Sequence, residues 1–242
     1  MQDGNYYLTW LGHATFILNT PGGKKVLIDP WVQGNPACPE NHKKVGHLDV
    51  MLLTHAHFDH IGDAVTIATS EESTPSVVVG VFELCGWLES KGVKNCSGMN
   101  IGGTQHVEGL RVTMTHADHS CGISDGGAVL YGGVAAGYVI ELENGKRLYH
   151  AGDTGLFSDL RLIHELYQPE LVMLPIGDHF TMGPREAAYA CKLLQPKSVI
   201  PMHFGTFGLL TGTTQAFKEE LAKAGVHGVE VLEMTPGQTI QK

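Results

Sequence analysis

A four-layer α/β sandwich, with two sheets face to face and helices on both outer sides (αββα), is the fold class predicted by three observations. Short β-type runs alternate with helical spacing, this alternation occurs twice in succession, and no linker or shift of composition separates the two halves. The 242 residues, 43% of them hydrophobic, suffice to fill one large core, so residues 1–242 are read as a single domain.

The first half opens with the β-type runs YYLTW (6–10), ATFIL (14–18) and KVLID (25–29), and PGG at 21–23 supplies a tight turn, so an antiparallel meander is expected. VMLLT (50–54) and SVVVG (76–80) continue the strands, with helical spacing over 60–71 and 81–90. The second half carries LRVTMTH (110–116), AGYVIEL (136–142), KRLYHAGD (146–153), LVMLP (171–175), SVIPMH (198–203) and GVEVLE (228–233). Helices are expected over 157–167, 184–194 with proline in its first turn, and 213–224. The glycine-rich stretch 119–137 fits either a mobile loop over a site or an ordered connection with several positive-φ turns.

Composition excludes several classes. No run of about 18 apolar residues and no basic-then-apolar leader occurs, so neither a membrane span nor a signal peptide is expected and the chain is assigned to the cytoplasm. The cysteines, five in number and never spaced as CxxC, argue against a disulfide framework or a thiolate zinc knuckle. A net charge of -9 without a Lys/Arg cluster excludes a nucleic-acid backbone as the main partner, leaving a small molecule. A homo-oligomer is compatible with the sequence and is not readable from it.

The chemistry concentrates in THAHFDHIGD (54–63), directly after an apolar strand. His55 and His57 alternate along an extended segment and so share a direction, while Asp59 and His60 follow at the turn into a helix. Further ligand-type residues stand at three other strand ends, in HADHS (116–120), GDTG (152–155) and MHFGT (202–206). Imidazole nitrogen and carboxylate oxygen suit divalent zinc, manganese, iron, nickel or cobalt, and two ions fit if enough ligands converge.

HxHxDH followed by a distant His, then Asp, then His resembles the metallo-β-lactamase fold superfamily over nearly the whole chain. WLGHATFIL, LIDPW, GDTG, LPIGDHFTMGP and PMHFGT narrow the resemblance to bacterial metal-dependent hydrolases related to ascorbate-6-phosphate lactonase and N-acyl-phosphatidylethanolamine phospholipase D. By that resemblance His55, His57 and His119 would hold a first metal, Asp59, His60 and His203 a second, and Asp153 would bridge them, with zinc the foremost candidate. His116 competes with His119, which is favoured because the family's histidine precedes a small hydroxyl residue, here Ser120. The implied function is a dinuclear hydrolase in which a metal-bound hydroxide, oriented by Asp59 and Asp153, attacks a small ester, lactone or phosphodiester. A phosphodiesterase or phospholipase-like enzyme and a non-catalytic metal-binding module are the alternatives.

Departures from relatives also count. The terminal ligand reads as His203 rather than the cysteine of penicillin-cleaving enzymes, for which only Cys121 offers itself. Ribonuclease Z needs an electropositive face, and glyoxalase-type enzymes carry a histidine where Ala56 stands. His13 and Asp29 are expected behind the ligands, either supporting them or holding turns. Asp178 and His179 are expected at a pocket wall, where His179 would donate to an oxyanion, or in a structural pair. Trp31, Trp87 and Phe204 are assigned to the core.

Overall fold

Strands that are apolar on both faces need cover on both sides. The computed structural model, which describes residues 4–242, provides it. The antiparallel strands β1 (Tyr7–Trp10), β2 (Phe16–Asn19) and β3 (Lys25–Ile28) form the opening meander, with Gly23 at φ 82° in the β2–β3 turn. β4 (Val50–Leu52), β5 (Val77–Val81) and β6 (Cys96–Met99) add in parallel.

Between β4 and β5 lie α1 (Phe58–Ile61) and α2 (Ala64–Thr69), and α3 (Phe82–Ser90) follows β5 directly. The single helix expected over 60–71 is therefore two. At the break, the Asp63 carboxylate accepts the backbone N–H groups of Val32 and Gln33 at 2.6 and 2.9 Å, tying the 31–47 loop to the site helix.

The second sheet uses β7 (Thr104–Val107) and β8 (Leu110–His116), and after them comes a separate hairpin of β9 (Gly122–Asp125) and β10 (Ala128–Tyr131). β11 (Ala136–Glu141), β12 (Arg147–His150), β13 (Leu171–Pro175), β14 (Ser198–Met202) and β15 (Glu230–Val231) complete that sheet. Its helices are α4 (Leu160–Tyr167), α5 (Pro184–Leu194) and α6 (Thr214–Lys223), and β16 (Thr239–Gln241) crosses back to pair with β1. The sheets run β16-β1-β2-β3-β4-β5-β6 and β15-β14-β13-β12-β11-β8-β7.

The glycine-rich stretch is thus ordered. Gly126 and Gly127, at φ 58° and 83°, make the two-residue turn of the β9–β10 hairpin, a conformation that L side chains avoid. The strand expected over 228–233 shortens to two residues at the sheet edge.

Period-two alternation builds the layers. Leu171 and Met173 of β13 enter the core between the sheets, while Val172 and Leu174 pack with Ile163, Ala187, Leu194 and Phe217 of the outer helices. The sheets are also joined by a polar contact: the buried Tyr138 hydroxyl of β11 donates to the Leu53 carbonyl at 2.8 Å.

Close packing extends to the turns that carry the site. A Cβ at Gly177 would lie 2.1 Å from the His203 carbonyl oxygen, and one at Gly212 would lie 1.7 Å from that of Ile176. Backbone cannot yield that far without a shift, so Gly212→Ala is expected to cost about 1–3 kcal/mol. Thermal unfolding checks this, and an unchanged midpoint would contradict it.

Candidate metal centre

Six strand ends converge on one rim. β3 ends at Asp29, β4 runs into Thr54–His60, β8 into His116–His119, β12 into Asp153, β13 into the turn at Asp178 and β14 into His203. Loops at such ends are free of sheet pairing and can place side chains on a common centre.

Two ligand sets emerge there. His55, His57 and His119 bring their ring nitrogens together, with His55 Nε2 3.0 Å and His119 Nε2 3.2 Å from His57 Nδ1. Nitrogens bound tetrahedrally to an ion at about 2.0–2.1 Å stand about 3.3 Å apart, so this spacing fits a shared cation. Asp59, His60 and His203 form the second set, which also includes His13. Asp153 lies between the sets: its Oδ2 is 3.8 Å from His55 Nε2, 3.6 Å from His119 Nε2, 3.2 Å from His60 Nε2 and 3.0 Å from His203 Nε2.

The outer partners settle which nitrogen faces the centre. An ionised carboxylate only accepts, so His60 Nδ1–H donates to Asp29 Oδ2 at 2.7 Å and Nε2 is the nitrogen that faces inward. The Thr54 hydroxyl also donates to Asp29 Oδ2, at 2.7 Å, which leaves its oxygen to accept His55 Nδ1–H at 3.0 Å. Asp29 Oδ1 holds the Thr54 backbone N–H at 2.8 Å, so one fully buried carboxylate orients two imidazoles and the strand end between them. Ser120 Oγ, 3.2 Å from His57 Nε2, does the same for His57.

His13 donates through Nε2 to Asp59 Oδ2 at 3.0 Å and accepts the Thr206 hydroxyl at Nδ1, 3.1 Å away. Its ring lies over that of His203 at 3.9 Å between centroids. Burial first, then the neighbouring His203, pushes His13 down to about 4, so it is neutral near pH 7. Burial opposes ionisation of Asp59, yet the His13 hydrogen bond and the charge of His60 hold it at about 2. Asp153 is likewise held far below the usual carboxylate range against its burial, by His203 and His60.

His60 moves the other way. Burial disfavours its charge, but the carboxylates of Asp153 and Asp29 on either side outweigh burial and raise its pKa well above the ordinary imidazole value. Two carboxylates around one buried imidazole call for positive charge. Of the seven buried side-chain polar atoms without a hydrogen-bond partner among the described residues, four belong here: His60 Nε2, Asp153 Oδ1 and both nitrogens of His203. Buried atoms rarely stay unpaired, and a divalent cation can take His60 Nε2, His203 Nε2 and an Asp153 oxygen as ligands, as a proton on His60 cannot. The donor set therefore fits metal. Because a metal would displace the proton from His60 Nε2, uptake is expected to release protons and weaken as pH falls. Calorimetry in buffers of different ionisation enthalpy measures this, and uptake without proton release would contradict it.

Other expected residues fall elsewhere. His116 is exposed and meets Phe157 edge-on at 5.0 Å, away from the ligand sets. Asp178 and His179 are exposed, with successive φ values of 66° and 58°; they carry Phe180 to the pocket and are not part of its lining. Such a pair of strained residues persists only where the surroundings impose it. Trp31 is buried behind Phe58 and Phe207, at 5.8 and 5.7 Å, while Phe204 stacks on Trp10 at 5.6 Å. Trp87 is half-buried and donates to Asp125 at 2.9 Å. Thr54, Asp63, Ser120 and Thr206 carried no assigned role in the sequence; each acts through a partner distant along the chain or hidden in the fold.

A buried array of His and Asp ligands at the strand ends of an αββα sandwich defines a metallohydrolase of the beta-lactamase class, and the sequence profile of the beta-lactamase superfamily domain matches residues 24–204. Within that superfamily the chain belongs to the UPF0173 metal-dependent hydrolases. A member from Koribacter versatilis is 59% identical over 232 residues, 96% of each chain, and one from Methanopyrus kandleri is 45% identical over 235 residues, 97% of this chain and 99% of its own. Igni18, a novel metallo hydrolase from the hyperthermophilic archaeon Ignicoccus hospitalis, superposes with a TM-score of 0.85 at 36% identity, 98% of each chain being covered. An isothiocyanate hydrolase from Delia radicum gut bacteria shares the fold, with a TM-score of 0.72 at 22% identity over 97% of this chain and 98% of that one. The chain is a metal-dependent hydrolase, and the non-catalytic module is set aside. Among the described residues no helix is long and apolar enough to cross a membrane.

Proposed function

We propose that this hydrolase is dinuclear, with His55, His57 and His119 holding one divalent ion, Asp59, His60 and His203 the other, and Asp153 bridging. The observation that carries the reading is the position of Asp153 Oδ2, within 3.0–3.8 Å of imidazole nitrogens from both sets. Zinc is the foremost candidate, and manganese, iron, nickel and cobalt suit the same donors. Two such ions supply a water of lowered pKa and polarise a carbonyl or phosphoryl oxygen.

The protein's own groups do the rest. Asp59 lines the cavity and is fixed through Oδ2 by His13, which leaves Oδ1 to orient the attacking water. Asp153, the second proposed catalytic residue, keeps the ligands of both sets at one spacing. His13 and Asp29 act by positioning Asp59, His60 and His55. The substrate is a small ester, lactone or phosphodiester, and all five cysteines being unpaired fits a reducing cytoplasm.

Elemental analysis joined to hydrolysis assays before and after chelation tests this. About two ions per chain with turnover lost on chelation and restored by metal is the expected result. Full activity after complete chelation would overturn it.

A further inference from the structure

Metal ligands form only one side of the cavity, whose volume is about 570 Å³, within the range of small-molecule sites. Most of the remaining lining is Phe58, Phe180, Phe207 and Leu209, brought from α1, the turn after β13 and the loop after β14. Phe58, Phe180 and Leu209 are 59%, 50% and 54% exposed, an unusual investment of large apolar side chains at the edge of a charged centre. Phe58 and Phe207 are backed by Trp31, and Phe58 meets Phe207 at 6.4 Å, so this wall is stiff. Among the described residues no lysine or arginine lines the cavity, and Ser120 is its one hydroxyl side chain.

From this lining we infer that the substrate is a neutral carboxylic ester or lactone bearing an apolar chain, which lies along Phe58, Phe180, Phe207 and Leu209 while its carbonyl meets the ligand cluster. A phosphate or carboxylate substituent on the chain would enter that apolar wall with no cationic side chain to receive it, which costs its hydration without return. The inference rests on the hydrolase reading of the same site. In the step, water oxygen bonds to the acyl carbon and the acyl C–O bond breaks, giving a carboxylate, an alcohol group and one proton; no further reactant is needed.

The test separates binding from turnover. Metal-free protein at pH 8 is titrated with 2-alkanones from 2-butanone to 2-decanone and with octyl phosphate, following tryptophan fluorescence. Affinity is expected to rise about three- to fourfold per methylene. Octyl phosphate, with an octyl chain like that of 2-decanone, is expected to bind at least about tenfold more weakly for want of a cationic partner. Phe58→Ser with Leu209→Ser, both at exposed positions, should weaken 2-decanone at least about tenfold and 2-butanone by less than about twofold. Affinity independent of chain length, or octyl phosphate binding as tightly as 2-decanone, would overturn the inference. Failure of the hydrolase reading would show instead as missing chelator-sensitive turnover, a result this metal-free titration does not depend on.

Discussion

Asp153→Ala is expected to lower turnover by at least about 10³-fold and to reduce bound metal from the proposed two ions per chain to one or none. The carboxylate is 2% exposed and its Oδ2 faces His55, His60, His119 and His203, so no neighbouring oxygen can replace it. Alanine also leaves the imidazoles without the charge that favours a cation. Structural collapse would not mimic this result. Oδ2 of Asp153 pairs with the buried His60 and His203, so the metal-free variant should unfold below the midpoint of the metal-free parent, but still in one cooperative transition that shows the fold is kept. Metal content and thermal midpoint read together decide the matter: an active variant with two ions would remove Asp153 from the centre.

Asp29→Asn should produce the second large effect without touching a ligand. Asp29 accepts three hydrogen bonds, from the Thr54 backbone, the Thr54 hydroxyl and His60 Nδ1. An amide nitrogen in place of one oxygen turns an acceptor into a donor. If it faces His60, the ring must carry its proton on Nε2, the atom that points at the metal; if it faces Thr54, the strand end before His55 loses its anchor. Metal affinity is expected to fall about 10–100-fold, as for other partners that orient ligating histidines. A competition titration against a chelating dye measures it. Affinity unchanged from the parent would mean that His60 keeps its tautomer without Asp29.

How much of this was legible in the sequence follows from where the signals lie along the chain. HxHxDH is compact, and its alternation after an apolar strand places His55 and His57 together before any fold is known. The partners of those ligands are not local: Thr206 lies 193 residues from His13, and Ser120 lies 63 from His57. A hydroxyl gives no pattern of its own, so nothing in the sequence separates Ser120 from any other loop serine.

The same contrast holds for the fold. Runs such as LVMLP are apolar on both faces because both faces are covered, and they read as strands at once. TQHV in β7 and TIQ in β16 are short and largely polar, CSGM in β6 is short and carries a glycine, and only pairing with neighbours makes them strands. Gly62 and Asp63 divide a helix that apolar spacing alone runs together, because the Asp63 carboxylate serves the backbone of a loop some 30 residues earlier.

The crossing of β16 back to β1 bears on how the molecule is made. Thr9 and Thr239 meet side chain to side chain at 2.8 Å across 230 residues of sequence, so the first sheet keeps an open edge until the last part of the chain has left the ribosome. His203 likewise emerges long after His55 and His57, so a nascent chain can display a partial ligand set but not the complete second one. Only the second set is then completed late in synthesis. A stalled or truncated translation product would be a weak metal competitor with an unpaired sheet edge, the kind of species that quality-control proteases and chaperones must clear.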